Sequence, residues 1–271
     1  MNRDTSVAAV PLRTLLNKVP EVTLYFWVIK ILCTTVGETF ADYLNETLGF
    51  GLDNTSILMT AALVVALVFQ FRARRYVPGI YWLAVVLISV VGTLLSDKLV
   101  DDLGVPLQTS TIGFAILLAL TFAAWWASER TLSIHSIVTR RREAFYWLAI
   151  LFTFALGTSA GDLFDEQMGV GYWPTVALVA VLIALITAAH RFLHLDAVLA
   201  FWLAYILTRP LGASIGDGMS QAHQDGGLGL GTTGTSVIFL TVILALVVFL
   251  AVTKVDQTST AETIETDPAR V

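Results

Sequence analysis

Trp27-Val28-Ile29-Lys30-Ile31-Leu32-Cys33-Thr34-Thr35-Val36-Gly37-Glu38-Thr39-Phe40-Ala41-Asp42 sets out a spacing that the chain repeats: a tryptophan, a glycine ten residues on, and an aspartate fifteen residues on. The same spacing returns at Trp82, Gly92 and Asp97, at Trp147, Gly157 and Asp162, and at Trp202, Gly212 and Asp217. Downstream, Gly49, Gly104 and Gly169 share an offset, as do Thr55, Ser110 and Thr175; three extra residues in the last copy bring Gly227 and Thr233 into register. Chance does not align four copies in this way, so the chain is a fourfold internal repeat.

Composition sets the environment of that repeat. Of the 271 residues, 56% are hydrophobic and 14% charged, and mean hydropathy is +0.76; ordinary soluble domains do not reach these values. A hydrocarbon core about 30 Å thick needs roughly 20 apolar residues per helix. Stretches near 21–44, 55–71, 79–99, 108–128, 144–165, 173–190, 197–218 and 233–253 meet that need. Runs such as Ala61-Ala62-Leu63-Val64-Val65-Ala66-Leu67-Val68 are apolar throughout, without the period-two alternation of a membrane barrel. The expected fold is therefore all-α: a polytopic membrane protein forming an eight-transmembrane-helix bundle, built from four helical-hairpin repeats of like orientation.

Charge orients the bundle. Arg3, Arg13, Lys18, Arg72, Arg74, Arg75, Arg130, Arg140, Arg141, Arg142, Arg191 and Lys254 fall on one face, and Lys98 alone lies among the opposite loops. The positive-inside rule then places both termini in the cytoplasm. Met1 to Pro20 lacks the apolar core of a removable signal peptide. Cys33 is the only cysteine, which excludes an intramolecular disulfide and gives no ground for a cysteine metal site. The tryptophans are spaced by 55, 65 and 55 residues, so the extra length marks a join between halves. The organisation expected is a cytoplasmic segment over 1–19, a first half over 20–128, a cytoplasmic connection over 129–142, a second half over 143–254 and a disordered tail over 255–271. Like-oriented repeats usually surround an axis along the membrane normal, so pseudo-twofold symmetry with an approximate fourfold nested in it is expected.

Lys18-Val19-Pro20-Glu21-Val22-Thr23, Phe26-Trp27, Lys30 and Gly37-Glu38-Thr39-Phe40-Ala41-Asp42-Tyr43 resemble the first unit of a family of bacterial membrane proteins known as a repeat of unknown function, with two membrane segments and a tryptophan per unit. The likeness extends over about residues 18–253. It implies the architecture above and an inner-membrane location, and carries no substrate or mechanism.

Function is therefore argued from the residues. Fifteen residues of helix rise about 22 Å from each tryptophan, which puts Asp42, Asp97, Asp162 and Asp217 at one depth in the outer part of the membrane, in the last turn of an odd-numbered helix. A helix C-terminus disfavours an acid, and Glu46, Asp101 and Glu166 add a like charge one turn later in three copies. The outer loops and helix ends hold eleven acids against Lys98. Two readings stand side by side. In one, each aspartate accepts hydrogen bonds from the N-terminus of the neighbouring antiparallel helix; in the other, the carboxylates attract or bind cations, for which hard divalent ions are suited. The first helix departs from its siblings by carrying Lys30 and Glu38, eight residues apart and both able to face the interior. Ionisable groups at that depth suggest an ion pathway or proton relay, the plainer alternative being a buried Lys–Glu pair that fixes packing. Arg209, before Pro210, is the third charge at depth, placed to neutralise Glu38 or an aspartate; the proline is expected to free a carbonyl and kink the helix.

The repeated glycines are read as points of close helix approach, the run Gly226–Gly231 as a tight connection, the tryptophans as interfacial anchors, and His135, His190 and His194 as solvated or headgroup-facing. No phosphate loop or His-Glu-x-x-His occurs, and the two Gly-x-Ser-x-Gly matches, Gly157–Gly161 and Gly212–Gly216, fall inside apolar spans rather than at the strand-to-helix turn that motif needs, so neither an enzyme nor a cofactor is expected. The basic loops suit anionic lipid headgroups rather than nucleic acid. The function expected is a secondary transporter or channel-like exchanger for a small, possibly metal, cation, with Asp42, Asp97, Asp162, Asp217, Glu38, Lys30, Arg209, Glu46 and Glu166 along its route. The alternative is a scaffold that binds lipid or a protein partner without transport. A polar central cavity reaching Glu38 favours the first and an interior sealed by aliphatic side chains the second.

Overall fold

A computed structural model describes residues 17–257, apart from the side chain of Glu166. Eight helices occupy the described residues: α1 (Leu24–Asp42), α2 (Gly51–Arg72), α3 (Pro78–Asp97), α4 (Leu107–Glu129), α5 (Arg140–Asp162), α6 (Tyr172–Phe192), α7 (Ala197–Ser220) and α8 (Gly231–Thr253). All eight are long and apolar enough to cross a membrane.

Local chemistry fixes where the odd helices start. The side chain of Thr23 accepts from Phe26 N, that of Thr139 from Arg142 N, and that of Asp196 from Val198 N and Leu199 N, while α3 opens on Pro78 instead. At the opposite face Gly49, Gly104 and Gly169 adopt φ of 66°, 65° and 65°, a left-handed turn that lets the chain re-enter as an even helix. In the last repeat the return is a tight connection, as expected: Leu228 N, Gly229 N and Leu230 N donate to Gly218 O, Gln221 O and Met219 O at 2.8, 2.8 and 3.0 Å.

The odd helices form a closed inner ring, α1 against α3, α3 against α5, α5 against α7, and α7 against α1. The even helices lie outside it, each on the odd helix of the following repeat: α2 on α3, α4 on α5, α6 on α7, and α8 back on α1. Burial separates the two layers cleanly, 61–67% across the apolar windows of the odd helices and 11–28% across those of the even ones. Each repeat is a hairpin in the chain, but in space it clasps its neighbour.

The repeated glycines make the ring possible. A Cβ on Gly37 would fall 2.7 Å from Ser89 Cβ, on Gly92 2.5 Å from Phe154 Cβ, on Gly157 2.5 Å from Arg209 Cβ, and on Gly212 2.6 Å from Thr34 Cβ. Thr34, Ser89, Phe154 and Arg209 occupy one repeat position, seven residues after each tryptophan. The same knob therefore meets the same glycine at all four interfaces, as close-packed membrane helices require. Pro210 sits inside α7 without ending it, and a Cβ on Gly157 would meet its ring at 3.1 Å.

The tryptophans correct the expectation of interfacial anchors. Trp82, Trp147 and Trp202 are buried, and Trp27 is half-buried. They turn inward because even helices wrap the odd ones, so the lipid-facing positions belong to the outer layer. There Trp126 and Trp173, 52% and 41% exposed, take the anchoring place instead. The buried set packs with Phe26, Tyr81, Tyr146, Phe201 and Tyr205 into an aromatic layer at the basic end, in which the Tyr81 and Tyr146 hydroxyls lie 2.5 Å apart.

Beneath that layer the chain ends cross the basic face. Lys18 Nζ donates to Glu143 Oε2 at 2.7 Å and to Phe71 O at 3.2 Å, and Gln70 Nε2 donates to Glu143 Oε1 at 3.2 Å. Tyr76 donates to Asp256 Oδ2 at 2.6 Å, and Glu21 N donates to Asp256 O at 3.0 Å. Burial pushes the Asp256 carboxyl up, and the bond from Tyr76 pulls it partly back. Asp256 is thus anchored, whereas the sequence pattern assigned it to a disordered tail. The rest of that tail, 258–271, lies outside the described residues, as do Arg3 and Arg13.

Candidate functional site on the bundle axis

Because the ring repeats one geometry four times, residues at one repeat position form one layer on the axis. The layer eleven residues past each tryptophan holds Glu38, Thr93, Thr158 and Ala213; the layer three past holds Lys30, Val85, Ile150 and Tyr205. All eight are buried.

Arg209 reaches from α7 across the upper of these layers. Its Nη2 donates to Glu38 Oε2 at 2.7 Å, to Thr158 Oγ1 at 2.6 Å and to Thr93 Oγ1; its Nη1 donates to Thr34 O at 2.9 Å. One guanidinium thereby engages the other three helices of the ring. Lys30 is not paired with Glu38, which corrects the packing pair considered from the sequence. Eight residues of helix separate the two by about 12 Å of rise, so they occupy different layers. The Lys30 ammonium instead lies 4.2 Å from the ring centroids of both Phe154 and Tyr205 and donates to Thr208 Oγ1 at 3.2 Å, a cation–π cage.

Toward the acidic face the carboxylates converge. Glu38, Asp42 and Asp217 each present an oxygen within 4.8 Å of the others. Asp97 is acted on by Glu38, Asp162, Asp42 and Asp101, and Asp217 by Glu38, Asp42, Asp162 and Asp165. The four repeated aspartates thus stand within electrostatic reach of a common centre, half-buried rather than facing lipid. Two oxygens on opposite sides of a cation with 2.4 Å bonds lie about 4.8 Å apart, so the converging set has the dimensions of a partial coordination shell.

The helix around these aspartates differs from the expectation in one respect. They are not in a final turn: in three repeats the chain continues as a π turn, Tyr43–Thr47, Lys98–Asp102 and Leu163–Gln167. Such wide turns recur at functional sites. Glu46 and Asp101, on those turns, are exposed, so Glu46 stands outside the converging set; the side chain of Glu166 is not described. Lys98 is engaged at the surface by Asp53 and by Asp102 at 2.9 Å.

Several members of the site were not foreseen. Asp165 is buried and accepts from Ser214 at 2.6 Å, yet its repeat position holds Asn45, Val100 and Ser220 in the other copies, so periodicity passes over it. Thr93 and Thr158 were visible only as residues standing where α1 has Glu38. Reading each layer around the ring, rather than each repeat along the chain, is the signal that assembles them.

No curated protein and no solved structure is significantly similar to the chain. A single family profile matches it four times, over residues 25–76, 80–131, 145–194 and 200–256, once per unit of the ring. With most of its length accounted for by these matches, the chain belongs to the family described as Repeat of Unknown Function (DUF347).

Proposed function

We propose that this membrane protein is a secondary transporter that exchanges a small cation, metal ions included, at an occluded site formed by Glu38, Asp42 and Asp217, with Asp97 and Asp162 as an acidic approach. The observation that carries the reading is the contact between this carboxylate set and a buried guanidinium on the bundle axis. A cation arriving among the three carboxylates competes with Arg209 for Glu38, and a proton on Glu38 does the same. Arg209 keeps Thr34 O, Thr93 and Thr158 as partners when Glu38 is taken from it. Cation and proton occupancy are then linked through one carboxylate, as exchange requires. Arg209 on the axis opposes continuous passage of a free cation, which favours exchange over an open channel.

Glu38, Thr34, Thr93, Thr158 and Arg209 make the bundle interior polar beneath the aspartates, and this supports the transport reading. The aromatic layer and the Lys18–Glu143 strap close the basic end, and this favours the scaffold as the second reading. Liposome flux decides between them. The purified protein, assayed against a panel of monovalent and divalent cations with and without a proton gradient, should move at least one of them. Glu38→Gln should abolish the proton-coupled component, and Asp97→Asn should reduce it less. Absence of flux for every cation in the parent protein sinks the transporter reading and leaves the scaffold.

The same proposal puts the protein in the bacterial inner membrane with the basic face in the cytoplasm, since the ten basic side chains among the described residues other than Lys30, Arg209 and Lys98 fall at that face. Fusions of a compartment-sensitive reporter after Arg75 and after Lys254 should both report cytoplasm. A periplasmic signal at either position reverses the orientation.

A further inference from the structure

A cavity of about 470 Å³ opens between α6, α7 and the start of α1 at the basic end. Its wall includes Trp27, Ile183, Thr187, His190, Ala200 and Phe201. In the preceding quarter of the ring three aromatic side chains occupy the corresponding position. There Phe122 packs 4.9 Å from Trp202, and Trp125, fully buried, lies 5.8 Å from Trp202 and stacks at 6.4 Å on Phe145. In the repeat register Thr187 corresponds to Phe122, His190 to Trp125 (both 65 residues on) and Ala200 to Phe145 (55 residues on). Trp27 stands where Trp202 stands. Relative to that quarter, the cavity stands where three aromatic side chains are replaced by Thr187, His190 and Ala200.

Packed interiors do not leave apolar space of this size empty, and its volume falls within the roughly 300–1,000 Å³ of small-molecule sites. One wall is α6, the most exposed of the eight spans, so the adjoining medium is the acyl region of the bilayer. At the rim, His190 Nδ1 meets Leu195 O at 2.8 Å, leaving Nε2 as the other polar atom of the ring, and His135 Nε2 lies 3.3 Å from Glu21 Oε2. Both imidazoles are exposed and sit on the arginine-bearing face, where Arg191 follows His190 in the last turn of α6. An apolar slot rimmed by two imidazoles on the arginine-bearing face matches an acyl chain joined to a phosphate.

We propose that this cavity is a specific site for one anionic phospholipid from the leaflet at the basic face, its acyl chain replacing the missing aromatic side chains and its phosphate held by His135 and His190. The site is separate from the axial carboxylates and independent of whether they carry a cation. The test uses the full chain in a neutral detergent, with dioleoylphosphatidylglycerol or dioleoylphosphatidylcholine added and retained lipid counted by native mass spectrometry. The parent protein should hold one phosphatidylglycerol in preference to phosphatidylcholine. Thr187→Phe/His190→Trp/Ala200→Phe, which copies the second repeat, should weaken that retention by about tenfold or more while keeping the melting temperature. Should the triple variant not fold, Thr187→Phe alone should still lower retention, and quenching by phosphatidylglycerol brominated in its acyl chains should fall in Trp27→Phe. A filled but folded variant that retains the lipid equally overturns the site, and equal retention of phosphatidylcholine overturns the anionic headgroup. Retention that appears only after deletion of residues 2–16 overturns it too, since the chain's own N-terminal segment is then the occupant.

Discussion

Arg209→Met should destabilise the bundle by about 3–5 kcal/mol, the cost of stripping one partner from a buried ion pair. Arg209 is fully buried and bonds to Glu38, Thr93, Thr158 and Thr34 O, so its loss uncouples α7 from the other three ring helices. It also leaves Glu38 among Asp42 and Asp217 without the guanidinium. Glu38→Gln should cost less, at most about 1.5–3 kcal/mol, the worth of a charge-assisted hydrogen bond, because the amide oxygen still accepts from Arg209 and the aspartates remain near that cation. Adding Glu38→Gln to Arg209→Met should recover part of the loss. Denaturation of the four proteins in one detergent gives the cycle directly. Equal and additive losses from the two single variants contradict the arrangement of one cation amid several carboxylates.

Gly92→Ala should be nearly as damaging from the addition of one methyl group. Its Cβ would lie 2.5 Å from Phe154 Cβ, 3.1 Å from Ala155 N and 3.2 Å from Phe154 C. Two of these are backbone atoms, so α3 and α5 must part rather than a side chain rotate. Overpacking of this kind costs about 1–3 kcal/mol or more, and Gly92→Val should exceed it. Gly113, on the outer helix α4, has nothing within 4 Å of such a Cβ; Gly113→Ala should be neutral or stabilising by up to about 1 kcal/mol. A loss at Gly113 matching that at Gly92 argues against the ring interfaces described.

The repeat period made the helix number and their approximate limits legible, because these depend on residues close in the chain, and it marked the glycines as points of close approach without naming the helices they meet. A common depth for the four aspartates follows from equal offsets along four equivalent helices, whereas their convergence depends on the order of helices around the ring. What the residues did not disclose was the partner of each buried charge. Glu38 and Arg209 are 171 residues apart, and only the order of helices around the ring brings them together. The burial of Trp82, Trp147 and Trp202 was hidden too, since a tryptophan near a span's end suits an interface equally well until a second helix layer is known to cover it. Asp165 was missed because it breaks the period, and the extent of each helix beyond its aspartate was missed because a π turn leaves no simple mark in composition.

The clasp between successive repeats has a bearing on how the protein is made. Of the eight described spans, the first in the chain, α1, is completed by α7 and α8, the last two. Until they emerge, the least apolar of the eight spans holds Lys30 and Glu38 in the bilayer while Arg209 is not yet present. Ring closure is therefore a late, long-range event of the kind that folds slowly and is exposed to error. A nascent chain arrested after two repeats offers an unfinished α1 with ionisable groups at membrane depth, and the insertion machinery or a membrane protease has a ready criterion for an incomplete product.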